Sequence, residues 1–113
     1  MNTAAHSLNV FTLQGDIPVL EREIPVGLEP VSVRVRTNQE AWVVNHLSDS
    51  ISIVNLSSGV VTRVLQTDDE PADVVFAGNP LRAFVSCSQP DLIQVFDLTN
   101  LAWIIHEKAL ARL

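Results

Sequence analysis

Glu29-Pro30-Val31-Ser32-Val33-Arg34-Val35 lines up with Glu70-Pro71-Ala72-Asp73-Val74-Val75-Phe76 at an offset of 41 residues, and Ala41-Trp42-Val43-Val44-Asn45 meets Arg82-Ala83-Phe84-Val85-Ser86 at the same offset. A further stretch, Ile51-Ser52-Ile53-Val54-Asn55-Leu56, meets Ile93-Gln94-Val95-Phe96-Asp97-Leu98 at 42. That predicts one inserted residue in the turn holding Gln89-Pro90-Asp91, because turns are where insertions are tolerated. The pattern also runs backwards. Ser7-Leu8-Asn9-Val10-Phe11-Thr12-Leu13 resembles residues 50–56, and both stretches are followed by a glycine turn, an apolar run and Glu-Pro. A repeat changes the reading of every segment inside it; this chain enters its first unit midway.

The units are made of strands. Sixteen Val and seven Ile stand against nine Ala, and β-branched side chains, stiff at χ1, suit a pleated sheet. Alternation and turn residues predict strands at 8–13, 18–25, 31–36, 41–46, 51–56, 60–66, 72–77, 82–87 and 92–98. All four glycines and all six prolines fall between strand centres or at strand ends, where a positive φ or a missing N–H costs least. Val31, Val33 and Val35 alternate with Ser32, Arg34 and Arg36, which predicts one buried face. Ala41-Trp42-Val43-Val44 and Ala83-Phe84-Val85 are apolar on successive residues, which predicts cover on both faces. The last stretch reads as a strand near 102–106 followed by a loose or helical tail, since Leu101, Ile105 and Ala109 also share a helical spacing.

Four short strands per unit of ~40 residues, with inner strands covered on both sides, is the demand of sheets stacked radially like blades. The expected fold is all-β, antiparallel four-stranded blades of an incomplete β-propeller. Its parts are a half blade of two outer strands (7–28), a complete blade (29–69), a second blade (70–107) and a tail (108–113). The chain's 113 residues suffice for one small domain, whereas a closed ring of ~4 blades needs roughly 160. The expected partners are therefore further blades, in cis or in other copies of the chain, with the fragment reading preferred over self-assembly.

Thirteen acidic against seven basic residues give a net charge of −6, which disfavours nucleic acid and anionic lipid. Apolar runs are far short of a membrane span. No signal-peptide pattern opens the chain, and a lone Cys87 excludes an internal disulfide.

Trp42-Val43-Val44-Asn45, Ser48-Asp49-Ser50 and Ile51-Ser52-Ile53-Val54 together resemble the YVTN family of β-propeller repeats. In the next copy Phe84-Val85-Ser86 stands for the aromatic core and Ser88-Gln89-Pro90-Asp91 for the Ser-Asp turn. The resemblance covers residues 7–98. It implies a toroid of similar blades, often in secreted or cell-surface proteins, serving as a scaffold or for protein or carbohydrate recognition. Related propellers include lactonase-like and haem-binding domains, and none of their functional residues can be placed on this chain.

Candidate chemistry is sparse. His6, His46 and His106 show no metal-ligand spacing, and His46 reads as a turn residue bonded to backbone. Ser86-Cys87-Ser88 lacks the nucleophile-elbow glycines, and Cys87 reads as a small core filler. Asp68-Asp69-Glu70 lacks the ligand spacing of a calcium loop and reads as a solvated turn. Arg34 and Arg36 are expected to pair with acidic neighbours, and Asn45, Ser48 and Asp49 to hold a tight turn. Few glycines leave no phosphate cradle. The expectation is a non-enzymatic repeat module with no catalytic, cofactor or metal residues and no cofactor; the alternative is part of a lactonase-like or haem-binding enzyme whose active residues lie elsewhere.

Overall fold

A computed structural model describes residues 6–88, 92–98 and the main chain of 103–108. It contains ten strands: β1 (Ser7–Gln14), β2 (Ile17–Pro25), β3 (Pro30–Thr37), β4 (Glu40–Asn45), β5 (Ser50–Asn55), β6 (Val60–Gln66), β7 (Pro71–Ala77), β8 (Arg82–Cys87), β9 (Leu92–Asp97) and β10 (Trp103–Lys108). They form three antiparallel sheets in chain order: a two-stranded β1-β2, a four-stranded β3-β4-β5-β6 and a four-stranded β7-β8-β9-β10. The fold is an all-β, incomplete propeller arrangement of one half unit and two whole ones. The terminal strand Trp103–Lys108 lies where a last blade strand was expected, whereas the tail at 109–113, the turn at Gln89-Pro90-Asp91 and the side chain of His106 lie outside the described residues.

The repeat is reproduced in several of its irregularities. The pairing of β1 with β2 slips between Val10 and Phe11, and that of β5 with β6 between Ile53 and Val54, at the matching place. The β3/β4 and β7/β8 pairs both slip immediately after the opening proline, Pro30 and Pro71. Proline at a strand start leaves no ladder donor missing inside the sheet. Gly15 and Gly59 supply the positive φ, 65° and 71°, in the β1-β2 and β5-β6 turns.

One expectation moves by a residue. Pro30 pairs with Asn45, but Pro71 pairs with Cys87 rather than Ser86, so β7 matches β3 at 41 whereas β8 already matches β4 at 42. The extra residue sits in the loop between β7 and β8, ahead of Gln89-Pro90-Asp91. Side-chain parity explains why the difference matters, since a one-residue slip turns each side chain to the opposite face. At 42, Ala83 and Val85 match Ala41 and Val43, both pairs facing the preceding sheet, and Phe84 takes the place of Trp42.

Cores lie between the sheets. Trp42, Val44, Ile51, Ile53 and Leu65 of the second unit pack against Val74, Ala83, Val85, Cys87 and Phe96 of the third. Trp42 and Phe76 meet edge to face, ring centres 5.1 Å apart and planes at 85°. Fully burying each such large apolar side chain is worth about 1.5–3 kcal/mol, so this interface dominates the stack. A smaller cluster joins Leu8 and Ile24 of the half unit to Val43 and Val54.

Two predicted faces are not buried. Val31, Val33 and Val35 are exposed, and the third unit leaves Val75, Ser86 and Ile93 exposed on its far side. Alternation identified the apolar side of β3 correctly, but β1 and β2 cover only the outer half of the second sheet and leave that side open near its inner edge.

Candidate functional site

The polar side chains singled out from sequence converge on the seams between units. Each seam turns on a residue with positive φ just before the opening proline, Glu29 (53°) and Glu70 (56°). Its N–H is received by the residue preceding the third strand of the previous unit: Glu29 N–H donates to His6 Nδ1 at 3.2 Å, and Glu70 N–H to Asp49 Oδ1 at 2.9 Å. His6 and Asp49 themselves have φ of 52° and 51°. Their carbonyls accept from Val26 N–H and Thr67 N–H at 3.0 and 2.9 Å, and the carbonyls of Glu29 and Glu70 accept from His46 N–H and Ser88 N–H, both at 3.0 Å. A non-glycine residue in this region costs of order 1 kcal/mol. Here the cost recurs at matching places and is offset by the bonds it aligns.

Asn45 and Ser48 extend the first seam. Asn45 is fully buried, and its Nδ2 donates to Ser50 Oγ at 3.3 Å and Ser52 Oγ at 3.0 Å. Ser48 Oγ accepts from Leu28 N–H at 3.1 Å and shares a bond with Ser50 Oγ. Gly27 lies so close that a Cβ there would stand 2.6 Å from Ser48 Oγ and 2.7 Å from Asn45 Cγ. The expected turn-holding role is thus partly realised across units: Ser48 and Asp49 accept N–H groups of residues Leu28 and Glu70 from neighbouring segments. Sequence reasoning missed His6 as the counterpart of Asp49 in the preceding unit, because imidazole and carboxylate are chemically unlike although both can accept.

A second polar cluster lies on the inner strands. Asp73 on β7 accepts from Ser32 Oγ at 2.7 Å and from Arg34 Nε and Nη2 at 3.1 and 2.8 Å, crossing from sheet to sheet. Chiefly through the Arg34 hydrogen bonds, the Asp73 carboxyl is lowered to about 2, and Arg34 is raised in turn. Arg36 pairs with Glu40, whose Oε2 also accepts from Trp42 Nε1 at 3.0 Å; the Arg36 hydrogen bond holds Glu40 below the usual carboxylate range. Both arginines therefore meet acidic neighbours.

The remaining candidates are structural in setting. His46 Nδ1 lies 3.1 Å from the Pro71 carbonyl, as expected of a turn residue bonded to backbone, and its Nε2 is 4.0 Å from Glu70 Oε2. With Leu47, Asp49 and Asp69 these two line a depression at the loop end of the second seam. Cys87 is buried, and burial together with nearby carboxylates pushes its thiol up to about 11. That keeps it protonated and a poor nucleophile at neutral pH. Among the described residues no three of His, Cys, Asp or Glu converge as metal ligands.

No protein-family model and no curated protein matches the chain. Among solved structures it is similar to hydrazine synthase from Kuenenia stuttgartiensis, with a TM-score of 0.82 and 21% identity over 93% of this chain and 30% of that one. It is also similar to a functionally unknown protein from Desulfotomaculum acetoxidans DSM 771, with a TM-score of 0.69 and 18% identity over 91% of this chain and 35% of that one. At such identities the likeness is one of fold. This chain spans about a third of the length of each of these structures.

Proposed function

We propose that the chain is a YVTN-type β-propeller repeat module, part of a larger ring, whose role is scaffolding or the recognition of protein or carbohydrate rather than catalysis. The observation that carries this reading is the use made of the polar side chains. His6, Asp49, Ser48, Ser32, Arg34 and Asp73 are committed to each other and to backbone groups at the seams. Polar groups so engaged set the angle and register of one sheet on the next, which is what a repeat scaffold requires. Further blades are its first partners, and the resemblance to YVTN repeats favours a surface or extracellular setting.

The test is to present the purified protein to immobilised glycans and surface proteins while assaying lactone hydrolysis and haem titration in parallel. Saturable binding that leaves the ligand chemically unchanged supports the reading. Lactone turnover, or a Soret shift on stoichiometric haem binding, overturns it.

A further inference from the structure

Val33 and Val74 hold the same place in successive units. Val33 is 37% exposed and Val74 is 0% exposed. Two residues on, Val35 is 63% exposed, whereas its counterpart Phe76 is half-buried against Trp42. All four are apolar, so the difference lies in the neighbour. The third unit has a four-stranded sheet in front of it, but the second has only the β1-β2 hairpin, which reaches Val43 and Val54. The same deficit appears at the strand edge, since β5 is bonded to both β4 and β6 whereas its counterpart β1 is, among the described residues, bonded to β2 alone. An open edge and an apolar patch thus adjoin at one corner, the two features of a strand-addition site.

We propose that this corner receives an antiparallel β-hairpin of the β3-β4 kind, supplied by polypeptide outside these 113 residues, which adds to β1 as β4 adds to β5. The proposal rests on the repeat-module reading and specifies its first partner. The occupied seam supplies the register: Trp42 pairs with Ile53 and Val44 with Ile51, whose counterparts on the open hairpin are Val10 and Leu8. The incoming strand therefore carries a bulky apolar or aromatic residue opposite Val10, placed over Val35 as Trp42 is placed against Phe76. Opposite Leu8 it carries a smaller apolar one, over Val33. A second copy of the chain is a poor occupant, because its β3-β4 and β7-β8 hairpins are already built into four-stranded sheets.

The test places an extra copy of residues 29–48 directly before His6, in place of residues 1–5, since His6 is the counterpart of Asp49. The extended chain is expected to melt at least about 5 °C higher, with the amide hydrogens of β1 exchanging at least tenfold more slowly. Val35→Lys at the original β3 position should cancel both gains in the extended chain while leaving the 113-residue chain's melting temperature within about 2–3 °C, an exposed site tolerating substitution. A synthetic peptide of residues 29–47 added to the unmodified chain provides an independent reading if the fusion misfolds, and it should slow the same β1 amides saturably. Unchanged exchange with both probes overturns the proposal, as does a self-associated 113-residue chain in which Val33 and Val35 are already protected. None of these readouts depends on glycan binding or turnover, so the hairpin site and the recognition role fail separately.

Discussion

Replacing Trp42 and Phe76 by leucine, singly and together, measures whether the second and third sheets pack as stacked blades. Trp42 is fully buried and donates its indole N–H to Glu40, so Trp42→Leu loses packing and a hydrogen bond, a cost of about 3 kcal/mol. Phe76 is half-buried, and Phe76→Leu removes its edge-to-face contact for about 1 kcal/mol. An aromatic pair at this geometry adds about 0.5–1.5 kcal/mol beyond area burial. The double variant should therefore fall short of the summed single losses by that amount. Urea unfolding followed by far-UV circular dichroism is the suitable assay, because one variant removes a fluorophore. Against a total stability of about 5–15 kcal/mol for domains of this class, each single variant should retain a folded baseline. Losses that add within about 0.3 kcal/mol would refute the packing of Trp42 against Phe76.

Three further outcomes follow from the same geometry. Asp73→Asn should destabilise the protein by about 1 kcal/mol at neutral pH, the linkage value being discounted because the pair is more than a third exposed. Its carboxyl is lowered to about 2 from 3.8, so the stabilisation is complete above about pH 5, declines as pH falls through both values, and the gap between wild type and variant closes only near about pH 1 in paired denaturation curves. Val74→Ala should cost about 2 kcal/mol and Val33→Ala under about 1 kcal/mol, an asymmetry between matched positions readable by thermal melts. Gly27→Ala should cost about 1–3 kcal/mol through overpacking, with Asn45 and Ser48 forced from their places and their hydrogen-bonded serine protons shifted in NMR spectra.

The sheet order was legible because proline, glycine and alternating valines mark strand limits directly. The Glu-Pro pairs announced the seams, although not the positive φ of Glu29 and Glu70 that makes each seam turn. The true register of β8 was hidden by its own composition. Ala83, Phe84 and Val85 are all apolar, so nothing in that run distinguishes an offset of 41 from 42, and only pairing partners fix which side faces inward. The exposure of Val31, Val33 and Val35 was equally unreadable, since alternation says which face can be buried and not whether anything stands in front of it. The seam role of His6 was not readable because its counterpart, Asp49, shares no chemistry with it except the ability to accept a hydrogen bond.

Successive stacking of repeated sheets is tested most directly by nuclear Overhauser contacts from the indole of Trp42. The Phe76 ring and the Val74 methyls should both show strong cross-peaks to it, joining residues that sit in different sheets of one stack. An indole that instead contacts Phe11 or Val10, across a closed barrel or sandwich, would contradict the blade arrangement and the roles inferred from it.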